Sequence, residues 1–100
     1  MPDLCLTVLC PPAFEEKLLD LLLVCSAASL LTSAPTAQYG LEFGRLDATE
    51  QVLGHSRATQ IQVLLRETDK AAVLDLLRGH FAGSGMRYWL TALVEAGDIA

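Results

Sequence analysis

Apolar residues along this chain recur first at every second position, then at helical spacing, then at every second position again, and the whole cycle repeats once. In residues 3–10, Leu4, Leu6, Val8 and Cys10 point one way and Cys5, Thr7 and Leu9 the other, so both faces of the predicted strand are largely apolar. Pro11-Pro12 stops it, and Pro12 suits the first turn of a helix, where a missing N–H is no loss. Glu15 and Glu16 fall in that turn, favourably placed for the helix dipole. Phe14, Leu18, Leu21, Leu22 and Cys25 then follow at helical spacing and predict a buried stripe. Ser26-Ala27-Ala28-Ser29 turns the chain into a second strand over about 30–34, which is expected to end at Pro35.

The second cycle begins with a strand over 58–67, with Ile61, Val63 and Leu65 inward and Gln60, Gln62, Leu64 and Arg66 on the other side. Thr68 or Asp69 is placed to cap a helix running to about His80, whose buried face is Val73, Leu76, Leu77 and Phe81. Gly79 weakens its last turn, and Gly83-Ser84-Gly85 forms a tight loop. A final strand over 86–95 sets Met86, Tyr88, Leu90, Ala92 and Val94 against Arg87, Trp89, Thr91 and Leu93, which makes Tyr88 a core aromatic and Trp89 an interface one. Two helices on one face of a four-stranded antiparallel sheet make an α+β, ferredoxin-like βαββαβ sandwich. With 100 residues the chain is expected to form a single domain, 1–100.

Between the cycles lies a polar stretch, 36–57, carrying Gly40, Gly44 and Gly54 among Arg45, Asp47, Glu50, His55 and Arg57. Loops beyond ~12–15 residues in a small domain are usually functional or disordered. Arg45, Glu50, His55 and Arg57 are therefore the expected contacts to a partner, and Asp47 with Glu50 three residues on predicts a short helical turn over 47–53.

Composition sharpens the picture of the second sheet face. Hydrophobic residues make up 52% of the chain and charged ones 19%. That is apolar-rich for a small monomer, and the face away from the helices would show Cys5, Leu9, Leu64, Trp89 and Leu93 to water. Burial between copies is the simplest remedy, with Cys5, Leu64, Trp89 and Leu93 as the oligomer interface.

A net charge of −5 with scattered basic residues disfavours a nucleic-acid partner. The uncharged stretch 21–41 contains Ser26, Ser29, Thr32, Ser33, Pro35 and Gln38 and is too polar to insert in a membrane. Met1-Pro2-Asp3 lacks the basic region of a secretory signal, so a cytoplasmic protein is expected. Cys5 and Cys10 fall on opposite faces of one strand, while Cys10 and Cys25 bracket a helix ~20 Å long against the ~6 Å a disulfide spans, so the thiols are expected to be unpaired.

Chemistry-bearing motifs are sparse. Cys5, Cys10, Cys25, His55 and His80 show no pair at zinc-site spacing, and a metal shared between subunits would draw on His55. Ser84 has no evident base partner and neither histidine sits in a nucleophile motif, so no enzyme is expected, and the residues name no cofactor. Gly83-Ser84-Gly85 can either present amides to an anion or simply turn the chain.

Several segments together carry a family resemblance: the opening strand running into Pro11-Pro12 and an acidic helix start, Glu50-Gln51-Val52-x-Gly54, the 57–65 strand, and Gly83-x-Gly85-Met86-Arg87-Tyr88-Trp89. Over nearly its whole length the chain resembles the PII-like trimeric ferredoxin-fold proteins, and most closely an uncharacterised family whose members often accompany heavy-metal efflux pumps. The resemblance implies a homotrimer with small-effector sites between subunits, and a long loop, here 36–57, that docks on a transporter or enzyme. It makes Gly83, Ser84, Gly85 and Arg87 the expected site for an anion or nucleotide. Nucleotide-binding PII proteins keep a lysine after this turn where Met86 stands here, so weak nucleotide binding or a smaller anion is expected. The alternative is a divalent-metal tolerance protein of the CutA type, which shares the trimeric sandwich.

Overall fold

The computed structural model describes residues 1–25, 27–40 and 55–100. The chain forms strand β1 (Leu4–Cys10), a 3₁₀ turn (Pro12–Phe14), helix α1 (Glu15–Leu23), strands β2 (Leu30–Gln38) and β3 (Ser56–Leu65), a second 3₁₀ turn (Glu67–Asp69), helix α2 (Lys70–Phe81) and strand β4 (Arg87–Ala92). The strands pair antiparallel in the order β2-β3-β1-β4, the ferredoxin-like sandwich expected from the patterning.

Register explains why β1 is apolar on both sides, since it lies between β3 and β4. Leu6 and Val8 stand opposite Val63 and Ile61, and these four are at most 2% exposed beneath the helices. Leu18 and Leu22 of α1, with Val73, Leu74 and Phe81 of α2, close that core. Leu74 takes the buried position predicted for Leu76, which stays half-buried with Leu77. Phe14 belongs to the 3₁₀ turn rather than the α1 stripe, and its ring meets the Phe81 ring edge-on at 6.2 Å. Cys25 lies beyond the end of α1, its N–H donating to Leu22 O. Asp69 occupies the N-cap position of α2 without a side-chain cap, and its carboxylate accepts from Arg66 Nε at 3.4 Å.

Several strand boundaries differ from the sequence expectation. β2 does not end at Pro35 but continues to Gln38, because β2 is an edge strand and one of its sides has no ladder for the missing N–H to break. With β3 starting at Ser56, the connection is shorter than 36–57 at both ends. β4 stops at Ala92 instead of reaching residue 95: Leu93 N–H donates to Asp3 O, and Val94 is fully exposed. The turn predicted over 47–53, and with it Arg45 and Glu50, lies outside the described residues.

Asp3 ties the lower end of the sheet together. Its N–H donates to Leu65 O, its carbonyl accepts from Leu93 and its carboxylate accepts from Glu67 N at 2.7 Å, so one residue joins β1, the start of the α2 segment and the chain after β4. The cysteines are all free thiols. Among the described residues no helix is long and apolar enough to cross a membrane.

Candidate functional site

The turn from α2 into β4 borders a cleft of about 220 Å³. Its walls are apolar, built by Val8, Leu74, Leu77, Phe81 and Met86, and Arg78, Ser84, Arg87 and Tyr88 complete its lining. The turn can take its shape because Gly83 and Gly85 sit at φ 79° and 80°, a region that side chains with a Cβ rarely adopt. Nothing would obstruct a Cβ at either position, so the demand for glycine is purely conformational.

Gly83, Ser84, Gly85 and Arg87 thus line one cleft. Two amides of the turn are already committed: Ser84 N–H donates to Phe81 O at 3.1 Å, and Met86 N–H donates to Ser84 Oγ at 3.3 Å. The donors left to an incoming anion are the Gly83 and Gly85 amides. Arg87 opens β4 opposite Leu9, on the alternate side of the strand from Tyr88.

Sequence reasoning missed Arg78. It follows Leu74 by one helical turn and precedes Phe81 by three residues, so it shares the face of α2 that looks onto the cleft. Its Nη2 donates to Tyr88 Oη at 3.0 Å, and its Nη1 lies 3.7 Å from Asp75 Oδ1. Tyr88 is consequently a rim residue, 45% exposed, and not the core aromatic predicted; β4 is an edge strand, so the helix-side cover thins out over it. The signal available in sequence was the helical phase of Arg78 with Leu74 and Phe81.

At the base of the long connection, Pro12, Glu15, Pro35, Thr36, His55, Arg57 and Thr59 border a shallower groove. His55 is half-buried and its ring lies 5.1 Å from that of Tyr39, and Arg57 lies beside it on β3. Cys10 is fully buried near this end, its Sγ donating to Pro11 O at 3.3 Å. Burial, and secondarily the charge of Glu15, push its thiol up to about 11. Among the described residues no three His, Cys, Asp or Glu side chains gather as a metal site would require.

The open sheet face follows from the register. Leu30, Leu64, Cys5 and Thr91 form one row across the four strands, and Thr32, Gln62, Thr7 and Trp89 form the next. Leu30 is 57% and Trp89 45% exposed, so Cys5, Leu64 and Trp89 do share a face with an unanticipated neighbour in Leu30. Leu93 falls past the end of β4 and is half-buried.

Comparison with solved structures gives the same architecture. A DUF3240 family protein from Shewanella baltica superposes with a TM-score of 0.82 at 14% identity, covering 100% of this chain and 99% of that one. A putative PII-like signalling protein from Thermus thermophilus matches with a TM-score of 0.66 at 14% identity over 93% of this chain and 88% of that one. The periplasmic divalent cation tolerance protein CutA from Archaeoglobus fulgidus matches with a TM-score of 0.70 at 12% identity, over 96% and 87% of the two chains. At these identities the likeness establishes the fold: a PII-like, CutA-like sandwich. No curated protein matches the sequence. The family match is with DUF3240, proteins of unknown function, and because it spans residues 1–100 the chain belongs to that family.

Proposed function

We propose that this chain is a non-enzymatic regulatory binding module of the PII-like type that works as a homotrimer. The observation that carries the reading is the open sheet face, where Leu30, Leu64, Cys5 and Trp89 occupy adjacent register rows and Leu30 and Trp89 are exposed. Apolar side chains set side by side on an exposed sheet are what an assembly contact buries. The domain 1–100 acts as one unit in the cytoplasm, and stretch 36–57, with Arg45, Glu50, His55 and Arg57, contacts the regulated protein. The association of the resembled family with heavy-metal efflux makes such a transporter the first partner to test.

In this reading the α2–β4 cleft takes a small anionic effector. The Gly83 and Gly85 amides and the Arg87 guanidinium supply its donors, and Ser84 shapes the turn. Affinity for nucleotides is modest, since Met86 leaves the turn without a lysine.

Light scattering at micromolar concentration tests the assembly, with a trimer expected and a monomer rejecting it. A thermal-shift screen of nucleotides, phosphate and small carboxylates tests the cleft, because a ligand of the native state raises Tm by mass action. A shift lost in Arg87→Ala is expected; no shift, or one unchanged by that substitution, removes the effector site. Pull-down of the transporter with and without 41–54 tests the loop, and equal recovery removes it from the mechanism. Calorimetric titration with copper, zinc, cobalt and nickel tests the rival: a stoichiometric site abolished by His55→Ala replaces this reading with divalent-metal binding.

A further inference from the structure

Burial divides the lining of the α2–β4 cleft into a floor and a rim. Val8, Leu74 and Phe81 are buried, and the half-buried Leu77 and Met86 continue the same apolar surface. Tyr88 and the side chain of Arg78 are exposed, so the polar groups stand where the cleft meets solvent. Arg78 is only partly engaged there: Nη2 donates to Tyr88 Oη at 3.0 Å, and Asp75 Oδ1 stands off at 3.7 Å from Nη1. A guanidinium has five N–H donors in one plane, so a planar carboxylate can dock on its edge while the tyrosine bond persists.

The cleft volume of about 220 Å³ sets the scale of what fits. A dry apolar cavity of roughly 150 Å³ holds benzene, and drug-sized ligands take roughly 300 Å³ or more. One ring, or a branched chain of similar bulk, therefore fills the floor and leaves space for a short charged arm. The walls select the same kind of molecule. Phosphate groups pressed against leucine and phenylalanine would lose hydration that the wall cannot replace, whereas an apolar body gains by leaving water and keeps its single charge at the rim.

We propose that the effector of this cleft is a small monocarboxylate with an apolar body, a single ring or branched chain on a short arm, whose carboxylate is held by Arg78 and the amides of the glycine turn. The inference rests on the anion-site reading and deepens it, fixing the class of anion and adding a second guanidinium to that of Arg87.

The test titrates the full chain with phenylacetate and isovalerate, beside acetate, phenylacetamide, inorganic phosphate and ATP as controls, by thermal shift and calorimetry. Both apolar carboxylates should bind about tenfold or more tighter than every control, because acetate lacks the body and the amide lacks the charge. Arg78→Gln changes an exposed side chain and should weaken phenylacetate about tenfold. Nuclear Overhauser contacts from the phenylacetate ring to the Leu77 and Met86 methyl groups should place the body on the floor. Equal affinity for phenylacetate and acetate, undiminished binding in Arg78→Gln, or contacts to another surface overturns the proposal. Tighter binding of phosphate or ATP, lost in Arg87→Ala, overturns the monocarboxylate and leaves the anion site standing. No binding by any of these probes overturns both.

Discussion

Trp89 stands directly opposite Thr7 in the β1–β4 pair, and the tryptophan is 45% exposed while the threonine is 2% exposed. From the other side Gln62 Nε2 donates to Thr7 Oγ1 at 3.4 Å, so the buried hydroxyl has a partner. The centre of the open face is therefore internally satisfied, and what it leaves in water is a large apolar ring. A rigid aromatic over a satisfied floor is suited to anchor a contact between copies.

Trp89→Glu should convert the proposed trimer to monomer, because the carboxylate would have to be desolvated without a partner in the contact. The secondary structure by circular dichroism should be unchanged, since residue 89 is not part of the intramolecular core. Light scattering checks the outcome, and a trimer retained at micromolar concentration rejects the face assignment.

At the cleft rim, Tyr88→Phe removes the acceptor of Arg78 Nη2 and keeps the ring. A hydrogen bond this exposed contributes little, so a loss of about 0.5–1 kcal/mol in urea unfolding is expected. Its more informative consequence is freedom: the guanidinium loses its tether across the cleft, and any anion-induced thermal shift should change in size. A shift identical to that of the unsubstituted protein would place Arg78 outside the site.

Two glycines at either end of the same segment should respond with opposite signs. Gly85 sits at φ 80°, and Gly85→Ala should destabilise by roughly 1–2 kcal/mol although the space beside it is empty. Gly79 lies inside α2 without a left-handed φ and with nothing near a prospective Cβ, so Gly79→Ala should stabilise by roughly 0.5–1 kcal/mol. Chemical denaturation of both variants checks the pair, and equal signs would contradict the conformational account.

Periodicity made the fold legible where burial is one-sided or complete, as in Ile61, Val63 and Leu65 of β3 or the two-faced apolar run of β1. It failed where strand position decides the outcome. Pro35 reads as a strand terminator, yet an edge strand accepts it, and nothing local to Pro35 says that β2 is an edge. Tyr88 alternates correctly onto the helix side, but how much helix lies above it depends on the packing of α2 against β4. The glycine turn could be read from its residues and Arg87 from the family resemblance, whereas the Arg78–Tyr88 bond depends on how α2 packs against β4, and Asp3 acts through a partner 64 residues away.

Asp3 offers the sharpest check on that last class. Its carboxylate accepts the Glu67 amide at 2.7 Å and its backbone joins β1 to both β3 and the segment after β4. Asp3→Ala keeps the backbone bonds and deletes the side-chain acceptor, with an expected cost of about 1 kcal/mol. Hydrogen exchange at Glu67 should accelerate more than exchange at Leu93, and the reverse order would show that the carboxylate is incidental.

Cys10 supplies a prediction with a defined pH window. Its thiol is buried and pushed from 9.0 to about 11, first by desolvation and then by Glu15, so the folded protein keeps the proton longer than the unfolded chain does. Below pH 9 both states hold it and the contribution to stability is constant. Between 9 and about 11 the unfolded state alone releases the proton, which favours unfolding, and the contribution is lost as the pH rises through that window. Unfolding measured from pH 7 to 11 on the native sequence and on Cys10→Val isolates this residue from the other groups that titrate there. The native sequence should lose more stability than the variant over the window, and iodoacetamide at neutral pH should modify Cys5 and Cys25 well before Cys10, because the thiolate is the reactive form and Cys10 is fully buried. Parallel pH curves, or a Cys10 alkylated as fast as Cys5 in the folded protein, would mean that the thiol is not sequestered between β1 and the start of α1.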